Sequence, residues 1–518
     1  MNEQHQRPTS IIASLALLAL TIILLGPVLG SLGVGAVRTI WNTGLPAPAR
    51  GFAMTLAVAI GIGVLSTVIA WLPARVMVRR RVFAGFVLVP ILMPPYLVFA
   101  GYGMIRDPSW WTGSLLERLA GQGHAWVTIW TGYTLAVVGL ALWAFPIAAV
   151  VLAAGFKAQG QAMDDLLRLD TGPVRRTIMR VRMNLPGVLT AIGLVALVMI
   201  GSAVPLHLAQ IPTMAIELWR QLNESPAAAW DQVWASAWPL ILVALAGAGA
   251  VAWWLEQTGS GQRDAHAGSG SVSGGSVSGA WAIWAGATLV PLLIFAASLR
   301  SPASLVEFWR LSGTGLATAF GFGASDAAVC LVLAMAAAWA ASSQDRVTRI
   351  TIRVSLAAWV FAAVIPGVFI GSALARMGTH LPRGFGDGLV VLAHVNRFGV
   401  LGVLAGVMVG WSEPMARREL RRLDGATGFT GWRRVCLPWQ WTTLVGAAVA
   451  AGVLGVHEIE ATTLVLTPGR ANLAGQLLGY LHFSRMEELS AASVYLIGGG
   501  ICIASVASIL IFPRNRAS

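Results

Sequence analysis

Apolar runs of about 20 residues, long enough to cross a bilayer, recur along the whole chain. They fall near 11–33, 51–74, 82–105, 125–155, 187–211 and 236–255, and again near 280–298, 316–343, 354–377, 388–412, 439–467 and 489–512. This pattern predicts an all-α polytopic membrane protein, with about twelve transmembrane helices in two six-helix repeats. Only short polar stretches separate the runs. One of them, 258–279, is rich in Gly and Ser and has no apolar periodicity, so it reads as a flexible linker. It divides the chain into a first repeat, 1–257, and a second, 280–518. Pro94 and Pro366 fall inside the third run of their repeats, where a missing backbone donor is expected to kink a helix.

Composition fits this reading. The chain is 56% apolar and 11% charged, against roughly 25% charged residues in soluble domains. A net charge of +13 would ordinarily suggest nucleic acid, but the basic residues sit in short loops between runs and report topology instead. With the N-terminus placed inside, 23 of the 35 lysines and arginines fall on the inner side. Both termini are therefore expected in the cytoplasm. Six spans per repeat give the repeats the same orientation, unlike the inverted-repeat plan of many secondary transporters. The first run is too long for a signal-peptide core and reads as a retained helix. Cys330, Cys436 and Cys502 form neither a disulfide framework nor a metal-ligand spacing, and no cofactor or metal is expected.

The duplication is most visible in two polar, Arg-rich loops. Glu419 to Pro438 reads E-L-R-R-L-D-G-A-T-G-F-T-G-W-R-R-V-C-L-P, and Asp165 to Pro186 is a weaker copy. Asp165, Leu166, Arg168, Leu169 and Asp170 map onto Glu419, Leu420, Arg422, Leu423 and Asp424 at a constant offset of 254 positions. Ala416, Leu420 and Leu423 share one helical face, as do Ala162, Leu166 and Leu169, while the opposite face is Arg and acid. Pro414 marks a helix start and Gly425 a stop. The expectation is a short helix, a tight turn and a second helix outside the bilayer. Its apolar stripe requires either the lipid interface or a groove on a partner.

These loops resemble the "EAA" loop of the permeases of ATP-binding-cassette (ABC) importers, roughly E-A-A-x-x-x-G, then nine intervening residues, then I-x-L-P. In the second loop Glu419 stands for the acid, Gly425 for the glycine, Val435 for the aliphatic residue, and Leu437 and Pro438 for the closing pair, with Leu420 and Arg421 in place of the two alanines. The first loop is degraded. Thr171 occupies the glycine position beside Gly172, and Leu185-Pro186 comes two residues late. H-E-I-E-A-T-T-L-V-L at 457–466, P-G-R at 468–470 and E-L-S-A-A-S at 488–493 extend the resemblance to fused two-domain permeases of the ferric-iron type.

The resemblance implies a multi-pass protein of the bacterial inner membrane that moves a small substrate, with ferric iron favoured and thiamine, polyamine or phosphonate as alternatives. It implies two ABC ATPase subunits below and a periplasmic substrate-binding protein above. Docking to the ATPases would fall to Glu419, Leu420, Arg422, Leu423, Asp424, Gly425, Leu437 and Pro438, and to Asp165, Leu166, Arg168, Leu169, Asp170 and Gly172. The chain's one lysine, Lys157, lies in G-F-K-A-Q, so no P-loop exists and ATP hydrolysis is expected elsewhere.

His457, Glu458 and Glu460 are ionisable residues inside an apolar run and so are candidates for the substrate path. A continuous helix would put His457 and Glu460 on one face and Glu458 about 100° away. Their counterparts Ala203, Val204 and Leu206 are uncharged. The competing class is a secondary transporter of the major-facilitator kind. The loop between the second and third runs, P-A-R-V-M-V-R-R-R, lacks the Gly and Asp of that family.

Overall fold

A computed structural model describes residues 3–170, 172–259, 274–343, 345–382, 385–424, 426, 428–483 and 485–511, but not the side chains of 158–170 or of Arg422, among others. Among these residues every regular element is helical. The first repeat holds α1 (Glu3–Thr43), α2 (Phe52–Arg79), α3 (Arg81–Val87), α4 (Pro95–Gly103), α5 (Trp111–Leu119) and α6 (Ala125–Asp170). It continues with α7 (Pro173–Met183), α8 (Leu185–Ile200), α9 (Val204–Leu208), α10 (Met214–Glu224), α11 (Trp230–Ser236) and α12 (Trp238–Gly259). The second holds α13 (Gly274–Ala297), α14 (Ala303–Ala341), α15 (Arg346–Val364), α16 (Gly367–Gly378) and α17 (Gly386–Trp411). It ends with α18 (Met415–Leu423), α19 (Phe429–Val435), α20 (Leu437–Val456), α21 (Thr462–Val465), α22 (Leu473–His482) and α23 (Met486–Ile511). Of the expected linker, 260–273 lie outside the described residues, and 274–279 already belong to α13.

Among the described residues, nine helices are long and apolar enough to cross a membrane, or up to eleven if two bent pairs each count as one span. The chain is thus a helical, polytopic membrane protein. Several expected continuous spans are broken. The third run of the first repeat bends by 79° between its two helical parts, ahead of Pro95. Its counterpart stops at Val364 and restarts at Gly367 after Pro366, because proline offers no N–H to continue the ladder. The fifth runs break as well. α8 ends at Ile200 and α9 begins at Val204, while α20 ends at Val456 and α21 begins at Thr462.

Two compact units emerge, and neither coincides with a sequence repeat. Unit 1 comprises 1–52, 217–262 and 314–475, and unit 2 comprises 53–216, 263–313 and 476–518. Each unit therefore takes the middle of one repeat and the outer helices of the other. In unit 1, α17 lies between α15, α16, α20 and α21, with α1 and α12 against α15. In unit 2, α6 packs on α4, α8 and α13, and α23 packs on α13 and α3.

Close backbone approach holds the centre of unit 1 together. A Cβ on Gly402 would lie 2.5 Å from the Cys330 carbonyl oxygen, and one on Gly406 2.3 Å from that of Ala334. These glycines are one turn apart on α17 and bring its backbone against α14, as small residues do where lipid supplies no hydrophobic drive.

Candidate functional sites

The second Arg-rich loop forms the expected helix–turn–helix, α18 then α19. α18 closes with a bond from the Ala426 N–H to the Arg421 carbonyl, 2.9 Å, the pattern of a Schellman-type stop. Gly425 itself lies outside the described residues. α18 is amphipathic in the opposite sense to a helix packed by its apolar face. Met415, Leu420 and Leu423 are 73%, 61% and 81% exposed, whereas Arg418 and Arg421 are buried. Both arginines converge on Glu413, which is also buried. Arg421 donates from Nε to Oε1 at 3.1 Å and from Nη2 to Oε2 at 3.0 Å, and Arg418 Nε donates to Oε2 at 3.4 Å. The Cys436 thiol donates to Glu413 Oε1 at 3.3 Å. Burial by itself would push the Glu413 carboxyl up, but the hydrogen bond and charge of Arg421, then Cys436 and Arg418, hold it below the ordinary carboxylate range. Burial and the neighbouring carboxylate push the Cys436 thiol up to about 12.

α19 anchors the loop from its other side. Trp432 is fully buried among Ala334, Ala338, Cys436 and Leu444. The charged face of α18 is thus tied to the protein body and the apolar face is presented outward. Glu419 and Asp424 are exposed, Leu437 is half-buried and Pro438 exposed.

The first loop differs. α6 runs without interruption through Asp165, Leu166, Arg168, Leu169 and Asp170, and Gly172 precedes α7 in an extended conformation. The separate short helix expected there is absent. At the offset of 254, Gln159 and Gly160 stand where the second loop has Glu413 and Pro414, so neither the carboxylate nor the proline helix breaker is present. The side chains of Asp165 to Asp170, like that of Arg422, lie outside the described residues.

His457, Glu458 and Glu460 do not share a helix. The chain leaves α20 at Val456, and the expected common face of His457 and Glu460 is lost. Glu458 accepts from the N–H groups of Ala461 and Thr462 at 3.0 and 2.9 Å and from the Thr462 hydroxyl at 2.8 Å. A side chain that takes over backbone donors in this way competes with helix continuation and caps the helix that follows. Glu460 accepts from the Gly367 N–H at 3.1 Å and from Arg397 Nη1 at 2.9 Å. It therefore ties the fifth-run break to the third-run break at Pro366 through an arginine on α17. All three residues are buried.

Four residues central to these arrangements were not singled out from the sequence: Asp326, His394, Arg397 and Glu413. Asp326 is the one charged residue in 316–343, and His394 and Arg397 are ionisable residues within 388–412. The cost of such groups inside a span is the signal that marks them. His394 Nδ1 lies 2.7 Å from Asp326 Oδ2, and its Nε2 lies 2.8 Å from Thr462 Oγ1.

Unit 2 carries uncharged residues at the matching positions. At the offset of 254, Trp143 stands for Arg397, and its Nε1 donates to the Met93 carbonyl at 2.8 Å, beside the Pro94 break. Leu140, Val204, Leu206 and Leu208 replace His394, Glu458, Glu460 and Thr462. Gly61, Gly63 and Ser66 of α2 match Gly321, Gly323 and Asp326 of α14 at an offset of 260. Among the described residues no group of three or more His, Cys, Asp or Glu side chains is placed to hold a metal ion. No protein-family model, curated protein or solved structure matches this chain.

Proposed function

We propose that this chain is the membrane-spanning permease of an ABC importer of the bacterial inner membrane, with both termini in the cytoplasm. Its cargo is delivered by a periplasmic binding protein, and α18 and the end of α6 are its docking elements for two separate ATPase subunits. The observation that carries this reading is the orientation of α18. A helix whose arginines are buried on Glu413 and whose leucines face outward is held rigidly in a form that fits an apolar groove on a partner. Rigid attachment matters for such a role, because movement of the docked partner passes to α17 and α20 through Glu413 and Trp432. The resemblance of this loop to the EAA pattern names the partner class. Ferric iron is the favoured cargo, with thiamine, polyamine and phosphonate as alternatives.

The experiment is purification of the chain from its native membranes, followed by assay for co-eluting ATP hydrolysis. ATPase subunits are expected to co-elute with the wild type and to be depleted with Leu420→Asp, which puts a charge into the groove. Purification without any ATPase would overturn the reading. Uptake into vesicles holding the complex and its binding protein then separates the cargo classes.

A further inference from the structure

We propose that the buried chain Asp326–His394–Thr462–Glu458 is a proton-binding site, holding one dissociable proton beyond those its groups carry in their ordinary forms at neutral pH. A count of hydrogens leads there. Asp326 Oδ2 lies 2.7 Å from His394 Nδ1, His394 Nε2 lies 2.8 Å from Thr462 Oγ1, and Thr462 Oγ1 lies 2.8 Å from Glu458 Oε2. Each of these three contacts requires a hydrogen of its own. The threonine hydroxyl supplies one and a neutral imidazole supplies one, while two ionised carboxylates supply none. The third hydrogen must come from solvent. It resides on the imidazole, giving an imidazolium, or on one of the carboxyl groups. In every arrangement the total is the same, and the cluster is one charge less negative than two carboxylates and a neutral histidine.

Burial points the same way. Asp326 is 1% exposed, and its Oδ1 has no hydrogen-bond partner among the described residues. An ionised carboxylate with one bare oxygen in that position is costly, and an added proton on the Asp326–His394 pair lowers that cost. A narrow cleft lined by Thr318, Phe322, His394, Glu458, Thr462 and Asn472 reaches the cluster. The other ionisable groups facing it are Cys330 one turn along α14, Arg397 on α17, and His457 and Glu460 in the break. Arg397 donates to Glu460, so none of the three contacts draws on it. Unit 2 has Ser66, Leu140, Val204 and Leu208 at the matching places, so the site has no counterpart at those positions. The site does not depend on the importer reading.

The test uses the full-length chain in nanodiscs. Nitrogen-15 histidine spectra at pH 7, with the His394 signal identified by its loss in His394→Gln, report whether one or both ring nitrogens carry hydrogen. Infrared difference spectra of Asp326→Asn and Glu458→Gln against wild type report a protonated carboxyl. Either an imidazolium or one protonated carboxyl is expected. Thr462→Val removes two of the three contacts and leaves a pair that the imidazole's own hydrogen satisfies. It should therefore release about one proton per chain and leave a neutral imidazole with both carboxylates ionised. A neutral imidazole beside two ionised carboxylates in the wild type would overturn the proposal, and that measurement does not require Thr462→Val to fold. Retention of the extra proton in a folded Thr462→Val variant would also overturn it.

Discussion

At the scale of single residues, the most consequential side chain in the loop is Glu413, which lies one residue before the helix-start signal at Pro414. It pairs with two buried arginines at once. Glu413→Gln keeps the shape and removes the charge, leaving Arg418 and Arg421 buried without a counter-ion. Breaking a buried pair in this way costs about 3–5 kcal/mol. The expected outcome is loosening of α18, read as faster alkylation of Cys436 at neutral pH in a background with Cys502 replaced by Ser. The same carboxylate sets an acid limit. Its folded-state pKa is depressed, so the stability it contributes is fully present above its unfolded value of 4.5 and is lost as pH falls through the lower folded value. Protection of the α18 amides against hydrogen exchange, relative to their intrinsic rates, should persist from neutral pH down to about that unfolded value and fall in stronger acid.

Arg397 and Glu460 call for a different experiment, because their pair joins two backbone breaks. Arg397→Met and Glu460→Met are each expected to lower the melting temperature in detergent, by an amount corresponding to about 3–5 kcal/mol. The double variant should recover most of that loss, since an apolar pair of similar volume leaves no uncompensated charge. Additive losses in the double variant would show that the two side chains act separately.

At the scale of elements, the two Arg-rich loops are unequal. The second has a breaker, a carboxylate lock and a buried tryptophan, and the first is a continuation of α6. Asp at Leu420 or at Leu166 puts a charge on the apolar stripe, a cost on the order of several kcal/mol if it is buried without a partner. Under the importer reading, Leu420→Asp should abolish substrate-stimulated ATP hydrolysis in reconstituted vesicles, and Leu166→Asp should reduce it less. Equal losses would remove the asymmetry, and no loss from either would remove the docking role. The breaks are likewise elements of one design with two chemistries. Unit 2 stabilises its third-run break through an indole N–H on a carbonyl, whereas unit 1 uses an arginine, a carboxylate and a capped helix start.

At the scale of the whole molecule, the reciprocal exchange of outer helices has a direct consequence. Each compact unit draws on both repeats, so residues 1–259 and 274–518 expressed as separate chains should be unable to mature alone and should associate when produced together. Affinity capture of one half after co-expression, against expression singly, checks this. A half that is monodisperse and resistant to protease by itself would contradict the interleaving.

Hydrophobic patterning by itself determined that this is a helical membrane protein, because a bilayer demands long apolar runs whatever their neighbours are. The constant offset of 254 likewise paired the two Arg-rich loops, and the face of α18 was legible from its spacing. The sequence could not tell what would hold the polar face of α18. Arginine burial is favourable only where a carboxylate such as Glu413 waits, and that pairing is made across a break in the chain. Continuous helices were expected through 457–461 because nothing in the local pattern forbids them. The break there is held by Glu458 on backbone donors and by Glu460 on Arg397 and Gly367. Asp326, His394 and Thr462 lie 68 residues apart in succession and meet only when α14, α17 and α21 pack. Patterning reports what each segment must avoid, namely water or lipid. Which polar groups satisfy one another in the interior depends on how the segments meet, and tertiary structure alone decided that.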